Sequence, residues 1–284
     1  MSNVDSSKDR AVLRVVRAQP TSDGAGVRLN RAMGTSLLPM LDPFLMLDEF
    51  RSDDPNDYIA GFPSHPHRGF ETVSYMLAGS LEHKDSVGNT GLLRAGSIQW
   101  MTAGRGIIHS EMPKQENGLM WGFQLWVNLP ASDKMVAPRY QDIAPELVPE
   151  VRAGDAKVRV LAGEASGATG PITGIVTSPL MLDVTIPAGG TFQQALPATH
   201  NAFLYVFEGA VLAGPKAERV RLQELAVLGP GETFRARSEE GGRFLLLAAK
   251  PLGEPVARYG PFVMNTEKEI RQAMLDFQGG KLAS

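Results

Sequence analysis

The stretch VSYMLAGSL (residues 73–81) decides the fold, because a similar stretch, FLYVFEGAV (residues 203–211), occurs again in the second half of the chain. Tyr75 in the first copy matches Tyr205 in the second. Self-similarity of this kind is typical of repeated structural units. The sequence therefore predicts two similar β-modules in tandem. The apolar strands that follow the two copies are WGFQLWV (residues 121–127) and RFLLLAA (residues 243–249).

Short runs with strand composition are spread along the chain, and the 30 glycines and 20 prolines are not pooled in one linker. Short strands punctuated by turn residues favour a sandwich or barrel. We therefore predict an all-β fold of two tandem sandwich or barrel modules, with domains at residues 1–137 and 138–284. The strand-like runs occupy residues 12–16, 72–77, 122–129, 157–161, 182–186, 202–207 and 243–248.

One helix is predicted near the end of the chain. Thr266 and Glu269 have the T-x-x-E spacing of a capping box, in which the two residues satisfy each other's backbone N–H groups. Ile270, Met274 and Phe277 follow at helical spacing and would lie on one side of the helix. We therefore expect a short C-terminal helix that docks on a barrel.

The composition argues against several classes of protein. The 28 basic and 31 acidic residues give a net charge of −3, so there is no basic excess for a phosphate backbone, and we expect no direct binding of nucleic acid. The chain has no cysteine, which excludes disulfides, thiolate metal sites and cysteine nucleophiles. It also has no apolar run of about 18 residues and no leader-like start, so we expect no membrane partner and a cytoplasmic location.

Three of the five histidines fall in two compact motifs. HPHRGFE contains His65 and His67, which are two residues apart and would project from the same face of an extended strand. HSE contains His109 and Glu111 with the same spacing. Three imidazoles and one carboxylate form a plausible ligand set for a non-haem metal, with up to two positions of an octahedron left open.

The remaining polar candidates receive a structural interpretation. His83, in SLEHKDS, has charged neighbours and is predicted to be a solvated loop residue. His200 is a lone loop histidine for which we expect a structural role. Arg68 and Arg105 flank the two motifs and are expected to support the ligands or the fold. The three tryptophans are expected to pack in the core.

At the histidine motifs the sequence resembles the pirin family of bicupins. The similarity is dense over residues 26–143 and sparse beyond them. The resemblance implies two cupin barrels face to face, with metal only in the N-terminal one. The motifs that carry it are GFPSHPHRGFETVSYMLAGSLEHKDS (residues 61–86), AGSIQWMTAGRGIIHSEMP (residues 95–113) and LLLAAKPLGEPVARYGPFVMNT (residues 245–266). The metal ligands that it implies are His65, His67, His109 and Glu111.

Two carboxylates compete for the fourth ligand position. General cupins take it from a glutamate that follows the H-x-H pair, which is Glu71 here, whereas the pirin pattern favours Glu111. The second module offers only His200, out of register with His67, and residues 231–244 contain no histidine. We therefore expect no second metal.

For bacterial pirins the resemblance implies a quercetin 2,3-dioxygenase-like activity, in which O2 opens the ring of a flavonol or a similar aromatic substrate. Glu111 would be the catalytic base that takes the hydroxyl proton of the substrate. One divalent ion is expected, and we predict Fe(II), although imidazole and carboxylate ligands also accept Zn, Cu, Ni, Mn or Co. Because a bicupin can complete its fold within one chain, we expect a monomer.

A function of a different class is open. Some pirins are associated with regulation through protein partners, and the chain would then be an iron-binding, redox-sensitive protein without turnover. A third interpretation is a structural bicupin with a vestigial metal site, which the four intact ligand positions disfavour. Turnover of quercetin by the metal-loaded protein would separate the first interpretation from the second.

Overall fold

The computed structural model describes residues 8–115 and 117–283. Residues 1–7, which belong to the start of the chain where we expect no signal peptide, lie outside the described residues.

The predicted fold class is confirmed: the chain is mostly β, with two cupin domains and one short C-terminal helix. The first twelve strands are β1 (Val12–Arg17), β2 (Gln19–Asp23), β3 (Val27–Met33), β4 (Phe44–Ser52), β5 (Phe62–His67), β6 (Phe70–Ala78), β7 (Ser80–Asp85), β8 (Thr90–Arg94), β9 (Ile98–Thr102), β10 (Ile107–Pro113), β11 (Met120–Asn128) and β12 (Arg139–Ile143). The later elements are β13 (Glu150–Ala153), β14 (Ala156–Ala162), β15 (Glu164–Ala165), β16 (Ala168–Thr169), β17 (Leu180–Ile186), β18 (Thr191–Ala195), β19 (Asn201–Ala213), β20 (Glu218–Arg221), β21 (Glu224–Leu228), β22 (Thr233–Arg237), β23 (Gly242–Ala249), β24 (Ala257–Tyr259), β25 (Phe262–Met264) and the helix α1 (Glu267–Gln278).

The strands pack into two compact units, and neither unit is a continuous half of the chain. The first barrel comprises the described residues of 19–145 and 252–284, and the second barrel those of 1–18 and 146–251. The division therefore differs from the predicted one at both ends of the chain, and it also places residues 138–145, which include β12, in the first barrel. The strand β1 pairs with β21 and so belongs to the second barrel, whereas α1 buries its apolar side chains against β24 and β25 in the first.

The helix α1 begins where the capping box predicts. Thr266 Oγ1 accepts a hydrogen bond from the backbone N–H of Glu269, and the Glu269 carboxylate accepts one from the backbone N–H of Thr266. Ile270 and Ala273 are buried, whereas Phe277 lies at the edge of the apolar stripe and is 41% exposed. Within the described part of the chain α1 is the only α-helix, and its 12 residues are too few to cross a membrane.

The second barrel is built on a sheet with the strand order β1-β21-β19-β23-β17-β14-β13, to which β18, β20 and β22 are attached. Its interior is filled by apolar side chains. Phe192, Phe234 and Phe244 form a cluster in which the ring centroids are 5.8 to 6.4 Å apart. These rings belong to a larger cluster of buried apolar residues that forms the core of this barrel.

The first barrel has two large sheets, and β24 and β25 form a separate two-stranded sheet beside them. One has seven strands, in the order β12-β9-β6-β11-β4-β3-β2, and the other has four, in the order β5-β10-β7-β8. The two histidine motifs lie on the neighbouring strands β5 and β10 of the smaller sheet. Hydrogen bonds from β6 and β11 to Glu111 of β10 join the inner faces of the two sheets.

A line of polar side chains, which we call the polar row, crosses the inner face of the seven-stranded sheet. Each member pairs directly with the next on the neighbouring strand, and directly paired residues lie on the same face. The same pairing order in the second barrel contains only apolar residues. The polar row consists of Arg31, Asp48, Gln124, Ser74, Gln99 and Asp142. The matching residues of the second barrel are Val160, Leu182, Leu246, Leu204, Ala226 and Val15.

Candidate metal centre

Three imidazoles converge where β5 and β10 run side by side. His65 and His109 pair directly across the two strands, and one ring nitrogen from each of His65, His67 and His109 lies within 4.8 Å of the others. His65 Nε2 and His67 Nε2 are 3.0 Å apart. Two nitrogen ligands at about 2.1 Å from one ion, at right angles, would be about 3.0 Å apart. The spacing of the nitrogens therefore fits a shared metal ion.

Hydrogen bonds decide which nitrogen each ring presents to the cluster. His65 Nδ1 is 2.8 Å from the carbonyl oxygen of Pro63, so Nδ1 carries the proton and Nε2 keeps its lone pair. His109 Nε2 is buried and has no hydrogen-bond partner among the residues that the structure describes. A buried nitrogen normally has a partner. A metal ion at this place would supply one, so the donor set fits the expected group.

Burial keeps the two inner imidazoles neutral. It lowers the pKa of His67 well below its usual range, and the charges of His109 and His65 lower it further. Burial likewise lowers the pKa of His109, with smaller contributions from His65 and His83. Only the neutral imidazole can bind a metal. At neutral pH the cluster is therefore ready to bind an ion without first losing a proton from these two rings.

Glu111 lies buried two residues after His109, but its carboxylate is outside the group of three nitrogens. Glu111 Oε1 accepts a hydrogen bond of 2.8 Å from Ser74 Oγ. Its Oε2 accepts one of 2.8 Å from Gln124 Nε2. Both donors are middle members of the polar row, so the carboxylate of Glu111 is held against the middle of this row.

Glu71, the alternative carboxylate, points to the opposite face of β6. It lies three residues before Ser74 in a stretch with regular pairing to β9, and residues an odd number apart on a strand point to opposite faces. Thr102 Oγ1 donates a hydrogen bond of 2.7 Å to Glu71 Oε1. Burial raises the pKa of Glu71 to about 7. Ser74 and the rest of the polar row lie on the face of the sheet that contacts Glu111. Glu71 therefore lies on the other face of β6, away from Glu111.

The prediction for His83 is wrong, because His83 is a buried residue of β7 and not a solvated loop residue. Its Nδ1 is 3.3 Å from Nδ1 of His109, and its ring lies 4.7 Å from that of Tyr140. The charged neighbours misled the interpretation. Glu82 and Lys84 form a 2.8 Å ion pair with each other, and on a strand they point away from the side that His83 faces.

The three tryptophans are buried, as expected, and one of them also contacts the site. The ring of Trp126 packs against that of His67 at 5.3 Å. His200 lies in the second barrel, where its carbonyl oxygen accepts a hydrogen bond of 2.9 Å from the buried Arg10. The contact is made by the backbone, so a structural role for the imidazole of His200 stays a prediction.

Arg68 joins the first histidine motif to the end of the chain. Its guanidinium donates to the backbone oxygen of Arg105 and, at 2.6 Å, to the carboxylate of Asp276 in α1. The Arg68 side chain is only 5% exposed, whereas Arg105 is exposed. Arg68 therefore has the supporting role expected for it, and Arg105 contributes its backbone.

The chain that follows the second barrel returns to the first barrel beside the same motif. The backbone N–H of Val263 donates to the carbonyl oxygen of Arg68 at 3.0 Å. Lys134 Nζ, which is buried, donates to the oxygens of Gly69, Asn128 and Val263 at 2.7 to 3.0 Å. A Cβ atom on Gly69 would stand 2.0 Å from the oxygen of Val263. Only glycine permits this close approach.

A cavity of about 560 Å³ opens onto the histidine cluster. Arg31 on its wall is engaged by two carboxylates, Asp48 at 2.7 Å and Asp23 at 2.8 Å. The guanidinium of Arg258 lies 4.8 Å above the ring of Trp126 and forms no ion pair with any described residue. Other residues that line the cavity are His65, His67, Met46, Phe62, Gln124 and Pro261.

The chain is similar to known proteins over nearly its whole length. The family model described as Pirin matches residues 26–127, and the model described as the Pirin C-terminal cupin domain matches residues 181–283. A Pseudomonas aeruginosa protein named putative quercetin 2,3-dioxygenase is 50% identical over 280 residues, which cover 96% of this chain and 98% of the relative. A pirin-like protein of Caulobacter vibrioides is 50% identical over 274 residues, which cover 96% of this chain and 99% of the relative. The solved structure of a quercetin 2,3-dioxygenase from Acinetobacter baumannii superposes with a TM-score of 0.90 at 35% identity, covering 97% of this chain and 99% of that one.

Proposed function

The chain belongs to the pirin family, and on that basis we propose that it is a metal-dependent dioxygenase that opens the ring of a flavonol or similar enol-bearing aromatic compound with O2. The observation that carries the proposal is the convergence of three imidazoles at the edge of a cavity of about 560 Å³. Ligand cavities usually measure about 300 to 1,000 Å³. The names of the relatives support the class of substrate.

We propose one divalent ion, Fe(II), with four ligands. When bound, the ion would supply positive charge that polarises the oxygens of the substrate and favours the enolate. Imidazole and carboxylate ligands also accept Zn, Cu, Ni, Mn and Co, so the identity of the ion needs a direct measurement. The proposed ligands are His65, His67, His109 and Glu111.

The catalytic base in this proposal is Glu111. It takes the proton of the substrate's enol hydroxyl, so that one carboxylate oxygen gains a proton and the substrate becomes an anion. Ser74 and Gln124 hold the two oxygens of Glu111 with neutral donors. Neither donor neutralises the charge of the carboxylate, and together they restrict its orientation. A base that is fixed in this way loses little conformational freedom when it reacts.

The cavity walls bind and shield the substrate. Trp126, Met46 and Phe62 present apolar surface to an aromatic ring and exclude water from the reacting carbon atoms. Arg258 is the cation on the wall that forms no ion pair with any residue in the described ranges. In this proposal it binds an acidic phenol oxygen at the end of the substrate that is remote from the ion.

The experiment uses Fe(II)-loaded protein, quercetin and air, and follows the loss of flavonol absorbance together with O2 uptake. We expect turnover in the wild type and its loss in His67→Ala and Glu111→Ala. Glu71→Gln is the matched control, because Glu71 points to the other face of β6, and it should keep activity. Absence of turnover with Fe(II), Ni, Mn, Co, Cu and Zn would overturn the proposal and favour the alternative function, an iron-binding, redox-sensitive protein without turnover.

The cytoplasmic location and the monomeric state stay predictions from the sequence.

A further inference from the structure

The imidazole of His109, one of the three that converge at the candidate metal centre, also faces a fourth buried imidazole, that of His83. His83 Nδ1 and His109 Nδ1 are 3.3 Å apart, and each residue is only 1% exposed. A neutral imidazole has one N–H donor and one acceptor nitrogen. A hydrogen bond between the two Nδ1 atoms therefore contains one proton, which either His109 or His83 carries.

The two arrangements differ at the far nitrogens. If His83 carried the shared proton, His109 would hold its own proton on Nε2 and could not bind an ion there. If His109 carries it, Nε2 of His109 has a free lone pair, and the proton of His83 lies on its Nε2. Neither Nε2 atom has a hydrogen-bond partner among the described residues. Of the two residues only His109 belongs to the group of three imidazoles with His65 and His67, and the His109 nitrogen that does not face His83 is Nε2.

We propose that His83 is a positioning residue for the metal centre, because it accepts a hydrogen bond from Nδ1 of His109 and thereby leaves Nε2 of His109 free for the ion. The inference rests on the proposed role of His109 as a ligand. Ligating histidines usually donate their second N–H to a carboxylate, a carbonyl oxygen or water. Here the acceptor would be a neutral imidazole.

Neighbouring groups keep His83 in this place. His83 pairs directly with Glu111 across β7 and β10, and its ring packs edge-on against Tyr140. A carboxylate in place of His83 would bring a second negative charge close to that of Glu111, and repulsion between the two charges would disfavour this arrangement. An imidazole supplies the acceptor without that charge.

The test compares three variants by their affinity for Co(II), measured by competition with a chelator, and by the visible spectrum of bound Co(II). His83→Phe keeps a ring but removes the acceptor, and we expect about 10- to 100-fold weaker binding with an altered spectrum. His83→Gln restores an acceptor oxygen, so its affinity and spectrum should return most of the way to those of the wild type. His200→Phe, in the second barrel, is the control and should bind as the wild type does.

Several results would overturn the inference. Equal losses in His83→Phe and His83→Gln would mean that only the shape or packing of His83 matters, and unchanged binding in His83→Phe would mean that it has no role. If the wild type bound no Co(II), the ligand role of His109 would fail and the inference with it. If the expected pattern of affinities held but quercetin were not turned over, only the proposed dioxygenase activity would be overturned.

Discussion

Gln124 in β11 and Leu246 in β23 occupy the same position in the two barrels, since Gln124 pairs with Ser74 just as Leu246 pairs with Leu204. Gln124 donates a hydrogen bond to Glu111, whereas Leu246 belongs to a cluster of buried apolar residues. Two modules with the same strand pairing have thus acquired opposite interiors. One holds a fixed carboxylate, and the other is packed with hydrocarbon.

Exchanging these two residues should destabilise each barrel. Gln124→Leu leaves Oε2 of Glu111 buried without its donor, and we expect the free energy of unfolding to fall by about 1–3 kcal/mol. Leu246→Gln buries an amide without a partner and should cost a similar amount. Urea denaturation of the metal-free variants measures both. An unchanged midpoint for Gln124→Leu would show that the contact with Glu111 does not contribute to stability.

Removal of one imidazole should abolish tight metal binding. His109→Ala leaves two of the three converging nitrogens, so we expect the metal content after purification without chelators to fall close to zero, as measured by atomic emission. Glu71→Gln should keep the metal content of the wild type, because Glu71 faces away from the polar row. Equal metal contents in the wild type and in His109→Ala would contradict the proposed ligand set.

Glu71 should make the first barrel less stable as the pH rises. Its pKa is raised by burial to about 7 in the folded protein, against about 4.3 in an unfolded chain. Between these values the folded state binds more protons, so stability falls as the pH rises, by about 3 kcal/mol over the interval. Glu71→Gln removes this titration. The stability of the variant relative to the wild type should therefore be greater at pH 8 than at pH 5, and a constant difference would refute the explanation.

Arg258 should affect substrate binding more than the chemical step. If it binds an acidic phenol oxygen, Arg258→Gln should raise the KM for quercetin about tenfold and leave kcat nearly unchanged, as expected for a contact made equally in the ground and transition states. Arg51→Gln is the matched control, because Arg51 stacks on Trp121 at 4.0 Å and does not line the cavity. Equal effects of the two substitutions would show that loss of stacking, and not loss of substrate contact, is responsible.

Local patterns were sufficient to predict much of the fold and of the site. Every strand-like run named from the sequence overlaps a strand, and the T-x-x-E spacing identified the start of α1. The shared face of His65 and His67 could be predicted because the two residues are only two positions apart on one strand, and side chains two positions apart point to the same face. The convergence of these two with His109 also depended on the family resemblance, because β5 and β10 are about 40 residues apart in the chain.

Features that depend on distant partners were missed. Nothing close to β1 in sequence indicates that it pairs with β21, and nothing in α1 indicates that the helix packs in the first barrel. His83 was misread because its immediate neighbours are charged, whereas its burial depends on β10 on one side and on Tyr140 on the other. The alternation of Glu82, His83 and Lys84 was the one local signal that could have identified it as an inward-facing residue.

The return of residues 252–283 to the first barrel has a consequence for biosynthesis. Arg258 and Pro261, which line the cavity, and Val263, which binds Lys134, are translated only after every strand of the second barrel. A nascent chain on the ribosome can therefore form most of the histidine-bearing sheets long before it can close the wall beside them. Completion of the cavity must therefore wait until residues 252–283 have been made, and loss of those residues would damage a site whose ligands lie more than a hundred residues upstream.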